Sequence, residues 1–185
     1  MSAAVLSESA VWSWPALLAS ASLAVLWGHA ALHKAWDREA WRTSLQAYGA
    51  GRLTRGAALV LPAAEASLAV GLLSDARVAA AWGSAALLLL YALAMARQLW
   101  LGRETDCGCG GLSLPVSWAL VARNLVLLAW SAVAAQPVSF QPGSLQDFVW
   151  LVLALPVCVL LYTALHQVLR HLAWMRASGL KERGM

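Results

Sequence analysis

The sequence predicts an all-α membrane protein: a bundle of about five transmembrane helices, with a short interfacial amphipathic helix after the first. Three observations carry this. The chain of 185 residues is 61% hydrophobic and 12% charged, with a mean hydropathy of +0.66, too apolar for an ordinary soluble domain. Apolar runs long enough to cross a bilayer as helix fall at 12–32, 56–73, 78–100, 116–135 and 149–172. Trp12, Trp14, Trp82, Trp100, Trp118, Trp150 and Trp174 lie near the ends of these runs, where amphipathic rings favour the headgroup level. The net charge of +4 does not form one patch, since the basic residues sit between apolar segments, and a nucleic-acid partner is not expected.

The runs are justified in chain order. Met1 to Ala10 carries no Lys or Arg, so the first apolar run is expected to remain as an anchor rather than be cleaved as a signal peptide. From His33 to Gly51 the chain turns amphipathic, with Trp41, Leu45 and Tyr48 at helical spacing among Asp37, Arg38, Glu39 and Arg42, which predicts a short helix along the interface. The second run carries Pro62 and Glu65. Ser74-Asp75-Ala76-Arg77 is only long enough for a turn, making the second and third helices an antiparallel hairpin, and Ala79 and Gly83 give small-residue spacing for close packing. Arg123 lies in the fourth run. The link from Gln136 to Phe148 holds Pro137, Pro142 and Gly143, and Ser144-Leu145-Gln146-Asp147 has capping-box spacing before the fifth run. The whole chain reads as one integral membrane domain.

Orientation follows from Lys and Arg placement. Lys34, Arg38, Arg42, Arg52, Arg55, Arg97, Arg103, Arg170, Arg176, Lys181 and Arg183 fall on one side of the expected helices, Arg77 on the other, and Arg123 within a span. This bias puts the N-terminus outside and the C-terminus in the cytoplasm.

The chemistry-bearing stretch is Cys107-Gly108-Cys109-Gly110-Gly111, in the loop before the fourth run. Glycine between the cysteines relieves crowding and lets them approach. A disulfide across one residue closes a small, strained ring of the exchange-competent kind, and two thiolates aimed at one metal are the alternative. Arg103 and the N-terminal end of the helix that begins near Pro115 favour thiolate, while Glu104 and Asp106 oppose it. Cys158, two residues after Pro156, is either a packing residue or a relay for the loop pair.

Glu65 and Arg123 are the costly groups. At ~1.5 Å rise per residue they sit roughly 15 and 10 Å deep from the same face, close enough in depth to pair, with Asn124 beside them. His29 and His33 share one helix face at a spacing that suits a metal, so Cys107, Cys109, His29 and His33 form an alternative ligand set. No cofactor is otherwise called for.

These features together resemble the MauE family of methylamine utilisation membrane proteins, part of a redox-associated group related to DoxX-like proteins. The residues that carry the resemblance are His33-Lys34 with Asp37, Tyr48-Gly49, Pro62, Glu65 and Gly71, the Cys107 to Gly111 element, Ser117 and Ala122-Arg123-Asn124. The resemblance implies an inner-membrane factor for processing, transport or maturation of the methylamine dehydrogenase beta (small) subunit, working with the thioredoxin-like protein MauD. It assigns thiol-disulfide exchange to Cys107 and Cys109, and leaves Glu65, Arg123 and Asn124 an intramembrane role without assignment. An assembly factor is expected rather than a metabolic enzyme. The alternative is a binding or transport module that takes a small ligand at Glu65 and Arg123 or a metal at the cysteine and histidine set. The client implied is periplasmic while the charge bias sets the thiol pair on the cytoplasmic side, which calls for a relay through Cys158 or a loop that dips into the bundle.

Overall fold

The computed structural model describes residues 3–103 and 116–136, with 138, 155–156, 159–160, 162–164 and 167–168 beyond them. Its helices are α1 (Ala3–Trp36), α2 (Arg38–Ala47), α3 (Thr54–Leu72), α4 (Arg77–Trp100) and α5 (Trp118–Ala134), with a 3-10 turn at Gly51–Leu53 before α3. Among the described residues there is no strand. Three apolar stretches are long enough to cross a membrane, Trp14–Trp36, Gly51–Leu72 and Arg77–Trp100, and Trp118–Ala134 is a shorter apolar helix. Most of the run expected at 149–172 lies outside the described residues, and those of its residues that are described are helical.

Four helices form a ring. α1 packs on α3, α3 on α4, α4 on α5 and α5 back on α1, with little contact between α1 and α4 across the ring. Neighbours run antiparallel. Near one end Gly71 of α3 meets Ala80 of α4, and Arg77 at the start of α4 donates to the carbonyls of Ala134 and Gln136 at the end of α5. That guanidinium takes up carbonyls that the helix terminus leaves without intrahelical partners. The arrangement is an up-down-up-down bundle.

Its surface is inverted relative to a water-soluble bundle. α3 buries Thr54, Glu65 and Leu72 while exposing Leu59, Val60 and Val70, the last at 70%. In water the carboxylate would face out and the aliphatic residues in. Leu89, Leu90 and Leu93 of α4 and Leu125 and Val126 of α5 extend the apolar exterior, as lipid contact requires. Three inner hydroxyls are satisfied within their own helices. The Ser20, Ser84 and Ser131 hydroxyls donate to the carbonyls of Ala16, Ala80 and Leu127 at 2.8, 2.8 and 3.0 Å. The two mid-span tryptophans use their indole N–H across helices, Trp27 to Ser84 Oγ at 2.9 Å and Trp130 to Ser22 Oγ at 3.0 Å.

Small residues set the α3/α4 spacing, though not the pair expected. Ala79 is exposed. The close approach is made by Gly71, where an added Cβ would meet Ala80 Cβ at 2.9 Å, and Gly83, where it would meet Leu68 Cδ2 at 2.7 Å. The turn between α1 and α2 is one residue. Asp37 leaves the helical conformation (φ −109°, ψ 72°) and its carboxylate accepts from the Ala40 N–H at 3.1 Å, capping α2. At the other end of α2, Gly49 adopts φ +84°, and the Gly49 and Ala50 N–H groups donate to Gln46 and Leu45 carbonyls, the Schellman arrangement that glycine permits. α2 is thereby held against α3 with Trp41 and Leu45 buried.

Candidate functional site

Where α1 ends, α2 crosses above α3 and α4, and a buried ion pair lies beneath it. Lys34 Nζ donates to Glu65 Oε1. Lys34 is 3% and Glu65 0% exposed. The Tyr91 hydroxyl donates to the same carboxylate oxygen at 2.6 Å, and Glu65 Oε2 has no hydrogen-bond partner. The ammonium sits over two aromatic faces, 4.9 Å from the Trp41 ring centroid and 5.4 Å from that of Tyr91, each an attractive cation–π distance. Tyr91 in turn leans on Trp27, with ring centroids 6.2 Å apart. α1, α2, α3 and α4 therefore meet in one charged cluster.

Local sequence explains each placement. Along α1 the buried residues Ser20, Ala24, Trp27, Ala31 and Lys34 recur at alternate spacings of four and three, one inward stripe. Lys34 continues that stripe, so its stem enters the bundle and its ammonium reaches α3. Pro62, three residues before Glu65, lies within α3, and its ring removes the N–H that would have bonded the Ala58 carbonyl.

The ion pair corrects the sequence expectation in two respects. Lys34 belongs to the last turn of α1 rather than to an exposed link, and Glu65 takes Lys34 and Tyr91 as its partners instead of Arg123. Arg123 and Asn124 are buried on α5. Arg123 Cζ lies 5.8 Å from the Tyr162 ring, and Asn124 Nδ2 donates to Met95 Sδ at 3.6 Å. His29 and His33 do lie side by side, with ring centroids 6.4 Å apart, at the same end of α1 as Lys34; no group of three metal-ligating side chains occurs among the described residues. Cys107, Cys109 and Cys158 lie outside the described residues. The link that carries the first two leaves α4 at Arg103 and returns at Val116, which packs with Met95 and Leu120.

A pocket of about 170 Å³ opens beside the pair, lined by Lys34, Trp41, Tyr48, Leu90, Tyr91, Met95 and three smaller or aliphatic neighbours. Trp41 is expected from the amphipathic pattern of α2, but neither its contact with Lys34 nor the part played by Tyr91 is. The signal for Lys34 was its phase on α1; for Tyr91, directly after the aliphatic run Leu87 to Leu90, the sequence offered none.

A helical membrane bundle whose transverse amphipathic helix roofs a buried Lys–Glu pair is the class that fold and site define. The family model for methylamine utilisation protein MauE matches residues 12–136, and the chain belongs to that family. It is 46% identical over 114 residues to the methylamine utilization protein MauE of Paracoccus denitrificans, and 39% identical over 115 residues to that of Paracoccus versutus. Each alignment covers 59% of this chain and 61% of the relative, so the chain spans about three fifths of the length of the curated relatives it matches. No solved structure matches the chain.

Proposed function

We propose that the chain serves methylamine utilisation as an inner-membrane maturation factor. It acts on the methylamine dehydrogenase beta subunit by thiol-disulfide exchange at Cys107 and Cys109, with a thioredoxin-like partner and with Cys158 as a relay. The observation that carries the proposal is the Cys107-Gly108-Cys109 run in a member of the MauE family. Two thiols one residue apart, with a permissive glycine between them, form the kind of pair whose disulfide opens readily to a thiolate. In this reading the Lys34–Glu65–Tyr91 cluster has a positioning role: it fixes α2 against the middle of α4, the helix from whose end the cysteine-bearing link departs. The Lys and Arg bias supports a periplasmic N-terminus and a cytoplasmic C-terminus.

Replacing both Cys107 and Cys109 by serine tests the proposal in a methylamine-grown host. Disulfide-bonded beta subunit should fail to accumulate while the variant remains in the membrane. Normal accumulation would dismiss the thiol reading. Stoichiometric metal in the purified wild-type chain, lost in the double variant, would favour the metal-binding alternative with His29 and His33.

A further inference from the structure

The pocket beside the ion pair has a shape and chemistry that narrow its occupant. Its outer wall is Leu61 of α3 and Leu90 of α4, and Leu90 is 54% exposed on the apolar exterior. Its roof is Trp41, Leu45 and Tyr48 of α2 and its floor includes Met95. At ~1.5 Å per residue, Leu61 and Met95 lie roughly 10 Å and roughly 8 Å from the nearer ends of their helices. The mouth therefore faces lipid just below headgroup level, and the ligand arrives through the bilayer.

Inside, the polar anchor is Lys34. Glu65 Oε1 is its one hydrogen-bond acceptor among the described residues, and the rest of the ammonium faces the Trp41 and Tyr91 rings, so a group with three donors keeps one for a ligand acceptor seated between those rings. The ligand must also be uncharged. Lys34 and Glu65 together are neutral, and an anionic head would add net negative charge next to a fully buried carboxylate whose Oε2 already lacks a partner, at high desolvation cost. The volume matches a single ring, given that a cavity of about 150 Å³ accepts benzene, and the walls are aromatic faces and aliphatic side chains.

The geometry points to a binding site for a lipid-soluble quinone, its ring carbonyl accepting from Lys34 Nζ between Trp41 and Tyr91 and its tail leaving past Leu61 and Leu90. This site is independent of the cysteine chemistry and is tested without it. The full chain in lipid nanodiscs is titrated with decylubiquinone and followed by quenching of tryptophan fluorescence, with dodecanoic acid as the anionic amphiphile for comparison. Saturable quenching is expected in the wild type, weakened about tenfold in Lys34→Met by loss of a charge-assisted hydrogen bond. Ala94→Leu fills the pocket without touching the ion pair, and the same loss is expected there. Equal quenching in wild type and Ala94→Leu, or displacement of the quinone by dodecanoic acid at equal concentration, would overturn the assignment.

Discussion

Removing Lys34 alone should cost more than removing the whole ion pair. Lys34→Met leaves the Glu65 carboxylate 0% exposed, with Oε1 held only by Tyr91 and Oε2 still without a partner. Breaking one side of a buried pair costs about 3–5 kcal/mol, whereas replacing both sides with apolar residues of similar volume is often neutral. For a chain of this size 1 kcal/mol corresponds to roughly 2–4 °C, so Lys34→Met should melt about 10 °C below the wild type. The double variant Lys34→Met/Glu65→Leu should recover most of that loss. Glu65→Gln should fall between, because a carboxamide oxygen still accepts from Lys34 and Tyr91. Thermal unfolding in mild detergent, followed by intrinsic tryptophan fluorescence, measures all three. A Lys34→Met chain within 2 °C of the wild type, or a double variant less stable than the single one, would refute the reasoning.

Gly71→Ala should destabilise by about 1–3 kcal/mol, since its Cβ would meet the immovable Ala80 Cβ; Gly83→Ala should cost less because the Leu68 methyl it meets can swing aside, and the same melts rank the two. Asp37→Ala removes the cap of α2 and should cost about 1 kcal/mol, read as faster amide hydrogen exchange in the first turn of α2 with α1 unchanged. Gly49→Ala forces a side chain into φ +84° at about 1–2 kcal/mol, read by the same exchange experiment at the last turn of α2. Trp27→Phe keeps the ring packing on Tyr91 and loses only the bond to Ser84, which should cost about 1 kcal/mol in the melt.

The bundle was legible in the sequence because lipid imposes a simple demand. Apolar runs of fixed length show without any knowledge of packing; α3, α4 and α5 begin and end within two residues of the runs at 56–73, 78–100 and 116–135, while α1 extends past the run at 12–32 at both ends. The amphipathic α2 was legible for the same reason, since Trp41, Leu45 and Tyr48 recur on one face. Packing across helices was not. Ala79 and Gly83 had the right spacing, but the rotation of α4 turned Ala80 inward and Ala79 out, a phase set by the partner helix.

The site was legible in half. Glu65 stood out as a carboxylate in an apolar run, costly there without a partner. Depth along the sequence favoured Arg123, because residues counted from the same face reach similar depth. The choice went to Lys34 because α1 continues as helix to Trp36 and carries the lysine inward on the Trp27 and Ala31 stripe. A charge counted as a topological marker was a buried partner. The correction leaves the sign bias intact, since ten other Lys and Arg residues remain on that side.

Thiol exchange at Cys107 and Cys109 is tested by capturing the exchange itself. Cells carrying Cys107→Ser or Cys109→Ser are quenched in acid during growth on methylamine, and the chain is isolated without reductant. One of the two single variants should hold a reductant-sensitive covalent adduct with the beta subunit or a thioredoxin-like protein. Absence of any adduct in both variants, with fully matured methylamine dehydrogenase, would contradict it.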